Sequence, residues 1–137
     1  GHPGGVGIIA VDGDGKVFMV TQYRIAAKSE MLEIPAGKME YGEDPLECGA
    51  RELIEETGYK AEEFTHLGEY YATPGYCEKL NIFLARKLTF VGQNLDDGEF
   101  LNVSKYSLDE LYQMVMDNKI YDAKTAIAIL KAKAILG

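Results

Sequence analysis

The sequence predicts an α/β domain, a three-layer α/β/α sandwich built on a mixed central sheet. Three observations carry that prediction. Short apolar, β-branched runs recur from Val6 to Val103. Three other segments have the helical period, each with a capping residue at its start. One of these helices falls between strands and two follow them, which suggests the three-layer arrangement. At 137 residues the chain is expected to form one domain, residues 1–137, with a core that needs no staples.

The elements follow in order. Residues 6–11 and 16–22 are strand-like and joined by Asp12-Gly13-Asp14-Gly15, a hairpin signal. That tetrapeptide opens like a calcium loop, but the pattern fails after Gly15 and a turn is expected. Residues 31–34 form a short strand ended by Pro35. A helix is expected over 45–57, because Asp44 is a good N-cap, Pro45 suits the first position, Glu47 completes a capping box and Gly58 is a fitting stop. Residues 67–72, 80–85 and 100–103 are further strands. Ser107 introduces a helix over 108–117, and Asp122 one that runs to about residue 135.

Composition narrows the function. The net charge is −8 and no basic face is visible, which argues against nucleic-acid binding. No apolar run approaches the roughly 20 residues of a membrane helix, and no signal-peptide pattern is present, so a cytoplasmic protein is expected. Cys48 and Cys77 stand far apart and read as free thiols. With only His2 and His66, a His/Cys zinc site is not expected. The start, Gly1-His2-Pro3-Gly4-Gly5, reads as a trimmed or tagged one, with an N-terminal region missing.

The helix over 45–57 carries the chemistry. At about 100° per residue, Leu46, Ala50, Leu53, Ile54 and Thr57 share one side, the expected buried face. Glu52, Glu55 and Glu56 share the opposite side. Like charges at i,i+4 repel, and negative charge is least welcome in the C-terminal half of a helix. A cation among these carboxylates would resolve both costs. The preceding loop, residues 35–38, would bring backbone carbonyls close, completing an oxygen site for Mg2+ or Mn2+.

Residues 37–59 resemble the Nudix box, G-x5-E-x7-R-E-U-x-E-E-x-G-U, where U is bulky and apolar. Gly37, Glu43, Arg51, Glu52, Leu53, Glu55, Glu56 and Gly58 match, and Tyr59 fills the last position. The resemblance implies the Nudix fold and hydrolysis of a diphosphate linkage. It implies that Glu52 and Glu56 are the principal metal ligands, with Glu55 and the Ala36 carbonyl beside them. Arg51 and Glu43 would hold the loop on the helix, while Gly37 and Gly58 serve backbone geometry.

The flanking residues resemble the ADP-ribose pyrophosphatase subfamily: Thr21-Gln22-Tyr23-Arg24, then Glu33-Ile34-Pro35-Ala36-Gly37, then Pro74 within Thr73-Pro74-Gly75-Tyr76. ADP-ribose, cut to AMP and ribose 5-phosphate, is the implied substrate. Arg24 would grip phosphate, Glu78 would meet a ribose hydroxyl or a water, and Tyr76, Tyr71 or Tyr23 would stack on adenine. The family's loop carboxylate is expected within Asp96-Asp97-Gly98-Glu99. Glu99 is the first candidate for general base or additional metal ligand, Asp97 the second, and Glu55 of the box the next catalytic candidate. The resemblance leaves room for a homodimer. Two rival functions stand beside this one. The first is a Nudix enzyme for a nucleotide sugar, dinucleoside polyphosphate or nucleoside triphosphate. The second is a non-catalytic ADP-ribose-binding module, against which the intact Glu52, Glu55 and Glu56 weigh.

Overall fold

The computed structural model describes residues 4–71, 78–92 and 102–137. Its centre is a mixed four-stranded sheet. Strand β1 (Gly5–Ala10) runs parallel to β6 (Lys79–Phe90) on one side and antiparallel to β4 (Ala36–Lys38) on the other. Strand β5 (Tyr59–Tyr71) closes the far edge antiparallel to β6. Every residue of β1 is buried, as a strand paired on both sides and covered on both faces must be. A second, antiparallel sheet holds β2 (Lys16–Arg24) between β3 (Ser29–Glu33) and β7 (Asn102–Ser107).

Helix α1 (Pro45–Thr57) packs on one face of the four-stranded sheet, where Val6, Ile8, Phe83 and Ala85 meet Cys48 and Leu53. Helices α2 (Leu108–Met116) and α3 (Ala123–Leu136) belong to the other face, whose core joins Ile9, Ile82 and Leu84 to Leu111 and Ile129. The sandwich and its mixed sheet are therefore as the sequence predicts. All three N-caps are formed: Asp44, Ser107 and Asp122 each accept a backbone N–H from three residues on. Gly58 ends α1 at φ 80°, a left-handed conformation that suits glycine. Among the described residues, no helix is long and apolar enough to cross a membrane.

Four expectations need correction. Residues 6–11 and 16–22 do not form a hairpin ladder. The turn is there, with the Asp12 carboxylate accepting the Asp14 and Lys16 N–H groups at 2.9 Å. Beyond a single bridge, Val11 to Val17, the two strands part into different sheets. Residues 36–38 are a strand rather than a loop. β5 begins at Tyr59, well before residue 67, because a long ladder with β6 holds its polar, half-exposed first half. The buried face of α1 is also displaced from the expected one. Cys48, Gly49, Leu53 and Thr57 are its buried residues, while Leu46 is 40% exposed. Small residues cause this shift, since Gly49 lets the helix approach Val6 and Ile8 closely.

Candidate active site

That displacement brings Glu52 and Glu56 against the protein rather than away from it. Both lie on the flank of α1 that meets β4. The Ala36 amide donates to Glu56 Oε2 at 2.9 Å. The α-carbon of Gly37 sits so close to Glu52 that any Cβ there would overlap its carboxyl group. Gly37 is thus required by contact, not by its own backbone angles. Glu55 points outward, with 52% of its side chain exposed.

Arg51 organises the start of this site. Its guanidinium donates to both oxygens of Glu43, at 3.0 and 3.2 Å, and to Glu52 Oε1 at 3.2 Å. Glu55 Oε1 lies 3.6 Å away. Glu43 also accepts the Glu40 amide, so Arg51 ties the loop before α1 to the helix, the role read from the sequence. Cys48 lies beneath this knot. Burial first, then the nearby Glu43 charge, pushes its thiol up to about 11, and it is no nucleophile at neutral pH.

The two inner glutamates are electrostatically uncomfortable. Burial, then the charge of Glu55, raises Glu52 above the usual carboxylate range. Burial raises Glu56 to about 7; the Ala36 amide opposes that rise and the Glu52 charge reinforces it. Oxygen-only donors carrying excess negative charge suit a hard divalent cation. Among the described residues, however, no three acidic, histidine or cysteine side chains converge into a metal-binding group. Arg51 draws Glu52 and Glu55 to itself, and Ala36 presents its amide to Glu56.

Strand β4 also lines a cavity of about 250 Å³, together with Arg24, Glu78 and Lys124 among others. It brings together Arg24 and Glu78, which the sequence reading assigned to substrate, and the β4 backbone that Glu52 and Glu56 touch. Arg24 is not free in it. Its Nε and Nη2 donate to the two oxygens of Glu33, each at 2.7 Å. Glu33 is 1% exposed, and it also accepts from Lys124 Nζ at 3.0 Å. Burial alone would raise its pKa, but Arg24 and Lys124 outweigh burial and hold it below the usual range. Tyr23 and Tyr71 are exposed, at 64% and 54%. Tyr76, Asp97 and Glu99 lie outside the described residues, as do Pro74 and Cys77.

The sequence reading missed Glu33 and Lys124. One signal was available for Lys124: a cation in the first turn of a helix opposes the dipole there and calls for a carboxylate partner.

The NUDIX domain model matches residues 1–126. The chain belongs to the Nudix family. It is 41% identical over 131 residues to an ADP-ribose pyrophosphatase of Bacillus subtilis, covering 93% of this chain and 71% of the relative. It is 40% identical to a methanol dehydrogenase activator of Bacillus methanolicus over the same shares. A solved structure described as an ADP compounds hydrolase superposes with a TM-score of 0.81 at 25% identity, covering 96% of this chain and 72% of that one. The protein is accordingly a Nudix pyrophosphohydrolase acting on a nucleotide substrate, and Nudix hydrolases generally need divalent metal ions.

Proposed function

We propose that this Nudix enzyme hydrolyses ADP-ribose to AMP and ribose 5-phosphate, with Mg2+ as its working ion and Mn2+ able to replace it. The observation that carries the reading is the shared wall. Strand β4 is touched by Glu52 and Glu56, and it also lines the cavity that holds Arg24 and Glu78. A diphosphate in that cavity would lie beside both a cationic group, Arg24, and the strand that the Glu52 and Glu56 carboxylates touch. The subfamily-like residues around Arg24 and Ala36, and the 41% identical relative, support ADP-ribose as the compound.

Glu52 and Glu56 would hold the metal, with Glu55 beside them and the Ala36 carbonyl contributing from β4. A divalent ion there would neutralise the diphosphate and make water more acidic. Arg24 keeps three of its five N–H donors after its two bonds to Glu33, enough to hold a phosphoryl oxygen. Glu78 would accept from a ribose hydroxyl. Glu99, with Asp97 second, would take the proton from the attacking water.

A substrate panel tests the reading. ADP-ribose, GDP-mannose, a diadenosine polyphosphate and ATP are each incubated with enzyme and Mg2+, and the products are separated by chromatography. ADP-ribose should give the highest kcat/KM, with AMP and ribose 5-phosphate as products. Preference for a nucleotide sugar would move the assignment to that class, and tight ADP-ribose binding without cleavage would make the chain a binding module.

A further inference from the structure

Among the described residues, four charged side chains line the cavity: Arg24, Lys38, Glu78 and Lys124. Two of the three cations are committed. Arg24 gives two donors to Glu33, and Lys124 stands 3.0 Å from Glu33 and 2.8 Å from Asp122. These two cations and two carboxylates are neutral together, so an anion that approaches them meets donors but no net charge. Lys38 differs. It is exposed, and among the described residues no carboxylate, Glu78 included, lies within ion-pair distance of its ammonium group.

The pleat of the sheet explains why a lysine so close in sequence to the acidic cluster stays unpaired. A Cβ on Gly37 would overlap the Glu52 carboxyl, so position 37 faces α1. Successive residues of a strand point to opposite faces, and Lys38 is therefore turned away from Glu52. The ladders agree. Gly37 pairs with Val6, which belongs to the core under α1. Lys38 pairs with Gly5, and Gly5 with Leu80, which packs on the core under α2 and α3. Gly5 and Leu80 line the cavity too. Because Gly5 has no side chain, the space beside the Lys38 stem is open. The ladder fixes the backbone from which that stem starts, and the Lys38 carbonyl accepts the Cys48 thiol at 3.8 Å.

We propose that Lys38 is a substrate-binding residue whose unpaired ammonium group takes a phosphoryl oxygen of the diphosphate. The proposal rests on the reading of this cavity as the diphosphate site. An anion near Arg24 or Lys124 is also near Glu33 or Asp122, and each of these repels it. At Lys38 all three N–H donors are available, and the one counter-charge of the lining, Glu78, stands beyond ion-pair distance. An exposed cation of this kind acts on encounter and binding, and salt screens it.

Lys38→Met, Lys38→Arg and Arg24→Ala test the assignment. Each is measured beside the parent for kcat and KM with ADP-ribose at saturating Mg2+ and two ionic strengths, for the Mg2+ concentration that gives half the maximal rate, and for Tm. At the lower ionic strength Lys38→Met should raise KM by about ten-fold, the scale of one hydrogen bond to a charged group, and leave kcat within about three-fold. The difference from the parent should narrow as salt is added. Lys38→Arg should recover most of the loss. The Tm and the Mg2+ requirement should stay parental, because the side chain has no partner to lose and faces away from Glu52. An unchanged KM in Lys38→Met beside a raised KM in Arg24→Ala would overturn the proposal, as would a loss that follows a changed Mg2+ requirement. An unchanged KM in both variants would sink the reading of the cavity itself. If the panel prefers another substrate, the same variants are measured with that compound, and the expectation stands because the diphosphate is common to all of them.

Discussion

Glu56→Gln separates the structural cost of the acidic cluster from its use. In the metal-free protein, Glu56 is pushed from 4.5 to about 7, chiefly by burial. A shift of that size corresponds to at most about 3 kcal/mol between the charged and neutral forms. The folded state therefore binds more protons than the unfolded chain between pH 4.5 and about 7, and metal-free stability falls as pH rises through that window. Glutamine keeps an oxygen for the Ala36 amide and carries no charge. At pH 8, without metal, the variant should melt about 5 °C above the parent, and most of that gain should vanish by pH 5. Adding Mg2+ should reverse the order. A metal ligand must be deprotonated, so metal binding releases the Glu56 proton and tightens with rising pH. The parent should then gain stability that the variant does not, and turnover of the variant should drop by at least about 10²-fold. The assays are thermal melts at two pH values, with and without Mg2+, and steady-state hydrolysis. A variant less stable than the parent at pH 8 without metal would refute the electrostatic account. Activity within a few-fold of the parent at saturating Mg2+ would remove Glu56 from the metal cluster.

Gly37→Ala should displace the Glu52 carboxyl, which its Cβ would overlap, rather than unfold the chain. The expected result is an activity loss of about ten-fold or more with weaker Mg2+ dependence and a Tm change of a few degrees; a parental Mg2+ titration would show that Glu52 does not bind the ion. Glu33→Gln should destabilise the fold by about 2 kcal/mol at pH 7, since it strips the counter-ion from Arg24 and Lys124. Because Glu33 is held below its ordinary range, its contribution is present above about pH 4.5 and lost as pH falls through its lowered folded-state pKa, so the difference between urea titrations of parent and variant should shrink with acidification; a constant difference would contradict the ion-pair account. Glu99→Gln should lower kcat without rescue by extra Mg2+, and by more than Asp97→Asn does; the reverse order would move the base to Asp97.

What was legible in the sequence was local. Helix α1 has the expected bounds because its cap at Asp44, its proline at the first turn and its stop at Gly58 act within a few residues. The tie between Arg51 and Glu43 was legible from the box pattern. The partition into two sheets was not. Residues 6–11 and 16–22 carry a sound turn signal, but the partners that pull them apart, β6 and β7, come more than 60 residues later. The early start of β5 was hidden for a related reason. Its polar first half has little core signal of its own and is a strand because β6 pairs with it. The helical wheel of α1 misled because it weighted Leu46 and Ile54 as core. The contact is made by Cys48, Gly49 and Leu53, whose small members let the sheet come close.

The pairing of Glu33 with Lys124 spans 91 residues, beyond any pattern a single sequence displays. Yet this pairing belongs to the cavity wall, where Arg24 and Lys124 both stand. With β4 as the common element, the negative charge of Glu52 and Glu56 forms one set, and the cations Arg24 and Lys124, paired with Glu33 and Asp122, form the other. Each set alone is a poor receptor for a diphosphate: the first repels it, and the second cannot activate water. A divalent ion held by the carboxylates would reverse the sign of the first set, and the ion and the Arg24 donors would then meet the same group. On this argument metal and substrate bind with positive coupling, and the coupling is reciprocal. The affinity for ADP-ribose should rise with Mg2+ in Glu99→Gln, where binding is separated from turnover, by the same factor as the affinity for Mg2+ rises with ADP-ribose. Independent binding of the two would mean that they do not meet at β4.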